Sequence, residues 1–389
     1  MKKIEKHDQD VIRLHNKQMI LEIIKKKRPI SRAEITKITK LSPTSVGRIV
    51  AELCEQGLVR ETALTSVGVG RKAIMLDIDP QAVYTFGVDI GKKAIKFGVM
   101  EFSGKLLHEQ RVEHIALQTT PEVTASVIFE TINLIIENKQ LDKSKIIGIG
   151  IGVPGVIDHE RGIVQYSSTL GWRAVPIARL IQDKLPIPTV IDNDLKVKIL
   201  AEFLLGSARG SKKTALIELG SGVGSSLIID GEIFRGGSNS AGELGHTTLD
   251  PNGNLCECGK RGCLQTYIDE SAILHEANRI KETTDIEQLF AAVQNEENWA
   301  QDIISRTSLY IGIAINNIVC MYNPDAVILC GDLVEKHSEI VPLIEEQCAQ
   351  VVWEPFRDTF KILTSELKAK SIVVGAAMLV MNGYVDKSI

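Results

Sequence analysis

The 389-residue chain has no apolar run approaching the about 20 residues that a membrane span needs. Its first ten residues, MKKIEKHDQD, are charged and contain no apolar signal core. Secretion and membrane partners are therefore not expected, and the expected location is the cytoplasm. Compositional bias is missing too. Hydrophobic residues at 44% and charged residues at 24% are ordinary for a folded chain, which excludes the disordered, collagen-like and low-complexity classes. Cysteine is sparse and odd in number: Cys54, Cys256, Cys258, Cys263, Cys320, Cys330 and Cys348. Three of them crowd into eight positions. In a reducing compartment that pattern argues against a disulfide framework and for a metal site.

Charge is present, but unevenly. Residues 1–80 hold sixteen basic and ten acidic residues, a balance of +6, while the remainder carries −10. A basic end on an acidic body suggests that one end meets a polyanion. The length itself suggests two or three domains at roughly 150 residues each.

The basic end reads as a winged helix-turn-helix. Met19, Ile20, Ile23 and Ile24 sit at helical spacing, and Pro29 stops that helix. Ser31-Arg-Ala-Glu34 has the form of a capping box, starting a short helix with Ile35 and Ile38 turned inward. Ser42-Pro43 opens a third helix with a cap residue and a proline at its first position. Val46, Ile49, Val50 and Leu53 make its buried stripe, and Gly57 sits where a C-terminal cap is expected. Such a later helix enters the DNA major groove by its N-terminal residues, so Thr44, Ser45 and Arg48 are the expected base readers, with Ser42 and Arg32 beside them. Leu58–Thr62 and Ala73–Ile78 alternate like two strands joined by the turn Ser66–Gly70. That is a wing, with Arg71 and Lys72 placed at its base to reach phosphates or a minor groove.

The body reads as α/β. Tyr84–Ile90, Ala94–Met100, Lys145–Val153, Val190–Asp192, Thr214–Gly220, Ser225–Ile229, Ala326–Leu329 and Ile372–Val374 are expected strands, and Val123–Asn138 and Lys196–Leu205 expected helices. The order strand pair, turn, strand and helix occurs twice, which fits a duplicated two-lobed fold with a cleft between its halves. His246, Cys256, Cys258 and Cys263 are separated by nine, one and four residues. One imidazole and three thiolates suit a closed, structural zinc site with no position left for water. Cys54, Cys320, Cys330 and Cys348 lie in apolar surroundings and are expected in cores.

Gly236-Gly-Ser-Asn-Ser-Ala-Gly-Glu-Leu-Gly-His246, followed by Cys256-Glu-Cys-Gly-Lys-Arg-Gly-Cys263-Leu-Gln265, resembles the ROK family, which groups bacterial sugar-responsive repressors with sugar kinases. Gly152-Val-Pro-Gly155, Leu170-Gly-Trp172 and Asp192-Asn-Asp194 with Glu202 downstream carry the resemblance further. It is strongest to the xylose-type and N-acetylglucosamine-type repressors. It implies an actin-like, ribonuclease H-like body of two lobes (81–193 plus 370–389, then 194–369 with the zinc knuckle and a dimerisation surface) behind the winged helix of residues 1–80. It also implies that Gly155, Asn193, Asp194, Glu243, His246 and Gln265 line a sugar site in the cleft, with His246 binding zinc through one ring nitrogen and facing the sugar with the other. The family usually has Glu where this chain has Gln265.

The kinases would use Asp194 as base, and Leu219-Gly-Ser-Gly-Val-Gly224 resembles their phosphate turn. Their first phosphate loop, however, resembles Asp-x-Gly-Gly-Thr, and here it reads Asp89-Ile-Gly91-Lys92-Lys93. The expectation is therefore a non-enzymatic, sugar-controlled repressor acting as a homodimer or homotetramer on an inverted-repeat operator. A sugar kinase with an accessory DNA-binding segment is the alternative.

Overall fold

Ser31 and Ser42 set the head. In the computed structural model, which describes residues 2–65 and 73–388, a long helix Lys2–Lys27 precedes two short ones. Ser31 caps the helix Arg32–Thr39: its hydroxyl accepts from the Glu34 amide at 3.3 Å, and the Glu34 carboxylate accepts from the Ser31 amide at 2.9 Å. Ser42 caps Pro43–Glu55, accepting from the Ser45 amide at 3.1 Å. Val46, Ile49, Val50 and Leu53 are all buried. Ile35 is buried as expected, but Ile38 is 43% exposed, because the eight-residue helix ends one position later at Thr39. Val59–Thr65 and Ala73–Ile78 pair antiparallel, and Ile30–Ser31 adds a third strand against Ala73–Ile78. The turn Ser66–Gly70, Arg71 and Lys72 lie outside the described residues.

The head does not end at its own core. Val83 and Phe102 join the cluster formed by Ile20, Ile24, Ile35 and Leu53, as do Met381 and Val385 from the C-terminal helix Ser371–Ser388. The Lys25 ammonium sits 4.4 Å from the Phe102 ring centre, and Gln18 donates to the Asp386 carboxylate at 3.1 Å. Head, first sheet and most of the last helix thus make one compact unit, Met1–Ile151 with Val175–Ile191 and Ala376–Ile389. Gly152–Ala174 and Asp192–Gly375 make the other.

Each unit is built on a five-stranded sheet, and the two sheets share one plan. The first runs Thr189–Asn193, Ile146–Val153, Tyr84–Ile90, Ala94–Glu101, Leu106–Glu113. The second runs Lys361–Thr364, Ala326–Cys330, Lys213–Leu219, Val223–Ile229, Glu232–Ile233. In both, three consecutive strands form a meander and the fourth and fifth add outside the first. That common order is the duplication expected from the sequence. In the second sheet the meander is antiparallel and the added strands run parallel to its first strand. The core of the second unit is organised around Asn298–Tyr322, which buries Ile303, Ile304, Ile311, Ile315 and Ile318 against strands and neighbouring helices. By length and composition alone this helix could cross a membrane. Its apolar stripe is instead used in the core.

Two expectations are corrected. Ile372–Val374 is not a strand but the first turn of Ser371–Ser388. Its three β-branched residues are followed by Gly-Ala-Ala-Met-Leu, so the whole segment is apolar, and a short apolar run does not distinguish a strand from a buried helix. Cys330 and Cys348 are buried as expected, but Cys320 is exposed and Cys54 only half-buried.

Candidate functional site

On the head, Thr44 and Arg48 are exposed on the face of Pro43–Glu55 opposite its buried stripe, and Ser45 is half-exposed. Ser42 spends its hydroxyl on the cap and on the Ser45 hydroxyl at 2.9 Å. Arg32 is tied to Glu61 at 2.7 Å, so it braces the helix against the wing strand. Arg48 is the long exposed cation on this face. Arg48→Ala is expected to weaken specific DNA binding by roughly 1–3 kcal/mol, measured by fluorescence anisotropy on a set of operator variants. A loss of equal size on all sequences would make it a phosphate contact instead.

In the second unit, His246, Cys256, Cys258 and Cys263 converge: their ligand atoms all lie within 4.8 Å of one another. Two bridges, Thr248 with Cys263 and Leu255 with Arg261, fold the segment back on itself. Gly262 makes this possible, since its φ is +72° and a β-carbon there would lie 1.5 Å from the Asp250 carbonyl oxygen. Cys258 Sγ lies 3.6 Å from Cys263 Sγ, and His246 Nδ1 lies 3.7 Å from Cys256 Sγ. Around a zinc ion at ordinary bond lengths, a tetrahedron has S···S edges of about 3.8 Å and S···N edges of about 3.6 Å. The donor set and its spacing therefore fit a four-coordinate metal. Nδ1 is the nitrogen turned to the sulfurs, which leaves Nε2 on the far edge of an exposed ring.

The remaining sugar candidates belong to the same unit. Asn193 ends the strand Thr189–Asn193 and caps the helix Asp194–Leu204: its Oδ1 accepts from the Leu195 and Lys196 amides, and its Nδ2 donates to the Gly155 carbonyl at 3.1 Å. Gly155 needs its φ of +122°, and a β-carbon would lie 2.2 Å from the Tyr166 carbonyl oxygen. Asp194 is the first helical residue and half-exposed; Glu243 is exposed and precedes the 3-10 turn Leu244–His246. Gln265 spends its Nε2 on the knuckle, donating to Cys256 Sγ at 3.5 Å and to Glu257 Oε1 at 3.4 Å.

Three residues that sequence reading missed hold this arrangement. The fully buried Asp192 carboxylate accepts from Arg235 at 2.5 Å. Arg235 also donates to Asn239 Oδ1 at 3.0 Å, and Asn239 Nδ2 donates to the Ile157 carbonyl at 2.7 Å. Buried Lys196 donates to the carbonyls of Asn239 at 2.9 Å and Ala241 at 3.4 Å. Burial pulls its pKa down, opposed by the Asp192 carboxylate. The loop that carries Glu243 and His246 is thereby pinned to the helix that carries Asp194. Arg, Asn and Lys are surface residue types, and no periodicity marks these three as members of an internal network. A groove of about 300 Å³ borders Glu243, lined by Leu227, Leu244, Ile318 and Met321, but neither Asp194 nor His246 lines it.

The glycine turn after Leu219 has acidic neighbours. A β-carbon at Gly220 would lie 3.8 Å from Glu270 Oε1 and 3.4 Å from the Asp332 amide. Burial and the nearby Asp332 carboxylate both raise the Glu270 pKa. Behind the turn, Glu218 pairs with buried Lys198. Burial works against that ammonium, but the Glu218 carboxylate outweighs it and holds Lys198 protonated well above its usual range. In the first unit, Lys92 and Lys93 are exposed at the tip of the hairpin between Tyr84–Ile90 and Ala94–Glu101, and Asp89 pairs with Lys96 at 3.2 Å.

Together these features define a winged-helix DNA-binding head joined to a sugar-kinase-like body with a His–Cys₃ knuckle. The ROK family profile matches residues 85–382, and a winged helix-turn-helix DNA-binding profile matches residues 13–60. The chain belongs to the ROK family. It is 28% identical over 379 residues to the xylose repressor of Bacillus spizizenii, covering 97% of this chain and 98% of the relative. It is 25% identical to the DNA-binding transcriptional dual regulator NagC of Escherichia coli K12, covering 97% and 95%. Among solved structures, a ROK family transcriptional regulator, a homologue of the E. coli MLC protein, superposes with a TM-score of 0.83 at 25% identity over 96% of this chain and 97% of that one. The ROK hexokinase from Thermus thermophilus superposes at 0.68 with 26% identity over 76% of this chain and 97% of that one.

Proposed function

We propose that this protein is a cytoplasmic, sugar-responsive transcriptional repressor of carbohydrate uptake or catabolism genes. One observation carries the reading: a helix-turn-helix head and a sugar-kinase-like body share a single chain, and repressors match it along 97% of its length. The operator is an inverted repeat read by a homodimer, because paired heads of this type read half-sites related by two-fold symmetry. The effector is a neutral sugar. Asp194, Glu243 and His246 Nε2 meet its hydroxyls, while Asn193 and Gly155 shape the wall behind them. Carboxylates and an imidazole supply several acceptors and a donor in little space, which suits a polyol.

Zinc held by His246, Cys256, Cys258 and Cys263 supplies structure rather than catalysis, since four protein donors leave no open position. With Nδ1 committed to the metal, the ring's proton sits on Nε2, so His246 donates to the sugar. The helix Ser371–Ser388 supports coupling to DNA. It starts in the second unit, where a β-carbon on Gly375 would lie 1.7 Å from the Val197 carbonyl of the helix that follows Asp194. It continues into the first, where Met381 and Val385 enter the core of the head. Sugar changes DNA affinity only by binding one shape of this connection better than the other.

Retention of Asp194 favours a second reading, a sugar kinase. Against it stand the Glu270 carboxylate beside the glycine turn and the lysine pair where the kinases have glycine and a hydroxyl. Calorimetry with a panel of monosaccharides, followed by an ATP-turnover assay with whichever sugar binds, separates the two. The repressor reading predicts a binding heat and no sugar-dependent turnover; turnover at saturating ATP would establish the kinase.

A further inference from the structure

The amide nitrogen of Gln265, at the start of the helix Gln265–Ile268, reaches the knuckle. Its Nε2 lies 3.5 Å from Cys256 Sγ and 3.4 Å from Glu257 Oε1. Its Oε1 passes so close to Gly245 that a β-carbon there would lie 3.1 Å away. The amide oxygen thus lies beside the backbone just before His246, and the nitrogen is held by the sulfur of Cys256 and the carboxylate next to it in sequence.

We propose that Gln265 is a positioning residue of the metal centre, donating an N–H bond to the Cys256 thiolate, and that this duty takes it out of the sugar pocket. The inference rests on the His–Cys₃ cluster holding zinc. A thiolate bound to zinc still carries charge density, and an N–H donor offsets part of it and fixes the sulfur's direction. Only the amide does this here. A carboxylate at the same place has no proton to donate and would face both the thiolate and Glu257. The exchange of Glu for Gln at this position therefore has a local cause in this chain: the acid stands at 257, and the amide answers it. The consequence for the effector is that the pocket has one fewer side-chain hydrogen-bonding partner and relies on Asp194, Glu243 and His246.

The test compares the wild type with Gln265→Met, which keeps the side-chain length, and Gln265→Glu, which keeps the shape. Zinc content is measured on purified protein, and zinc affinity by competition with a colorimetric chelator. Both variants are expected to bind zinc about 10- to 100-fold more weakly. Cobalt-substituted protein should show a shifted sulfur-to-metal charge-transfer band in both. Sugar affinity should fall only as zinc is lost and return to the wild-type value when zinc is restored in excess. Unchanged zinc affinity together with a lasting loss of sugar binding would overturn the proposal and make Gln265 a sugar contact. A wild type that purifies and binds sugar without any metal would overturn the zinc reading itself, a different result.

Discussion

Cys258→Ser should purify without its metal and bind sugar at least about tenfold more weakly, the scale of one buried hydrogen bond lost at a polar site. Cys258 is exposed, and removing its sulfur disturbs no core packing, so a simple packing role predicts almost no effect. The predicted effect comes from geometry. The four donors already lie within 4.8 Å of one another, and a site with three donors and a hydroxyl holds zinc far less well. Without the ion, Nδ1 of His246 has only a thiol 3.7 Å away, and the ring of an exposed histidine is free to turn. Metal analysis and calorimetry on the same sample check both halves. Glu243→Gln is the control: it should weaken sugar binding and keep the zinc. If Cys258→Ser loses zinc and binds sugar as before, the coupling through His246 is wrong.

Glu202→Ala should destabilise the protein by about 3–5 kcal/mol, the cost of leaving several buried hydrogen-bond donors without their acceptor. Glu202 is fully buried on the helix Asp194–Leu204. Its two oxygens accept from the Ser365 hydroxyl at 2.6 Å, the Leu367 amide at 3.0 Å, the Glu366 amide at 3.2 Å, and the Ser207 amide and hydroxyl at 3.0 and 3.2 Å. Truncation leaves all five donors without this acceptor. The variant's urea midpoint should fall with little change in slope. Glu202→Gln, which can still accept at one oxygen, should lose less. A cost below about 1 kcal/mol for Glu202→Ala, the size of an ordinary exposed substitution, would mean that water replaces the carboxylate without penalty. The same contacts explain why this acid sits eight residues after Asp194. It ties the end of the site helix to the loop just before the helix Ser371–Ser388.

What could be read in the sequence was what local rules decide. Ser31 with Glu34 and Ser42 with Pro43 announce two helix starts because caps act within three residues. The knuckle was legible because three cysteines and a histidine at short spacing have few other uses. The duplication followed from the repeated order of strands, but Leu106–Glu113, Glu232–Ile233 and Lys361–Thr364, which complete the two sheets, are short or evenly polar and were not read as strands. What was not legible depends on distant partners. Buried Lys196 and half-buried Arg235 and Asn239 join a polar network that only the fold assembles, and nothing in their neighbours distinguishes them from surface residues. Ile372–Val374 reads as a strand until the following apolar residues are seen to wrap as a helix. The sharing of a core between the head and Met381 and Val385 joins residues more than 300 positions apart, which no spacing rule reports.

The central claim is that sugar bound beside the metal-held histidine is felt by the DNA-binding head. Fluorescence anisotropy of labelled operator DNA, titrated with the zinc-loaded protein with and without the sugar that calorimetry selects, tests it most directly. The account predicts that saturating sugar changes operator affinity by about 5- to 150-fold, the usual range of coupling between two sites. Operator affinity that stays the same while the sugar is demonstrably bound would contradict it.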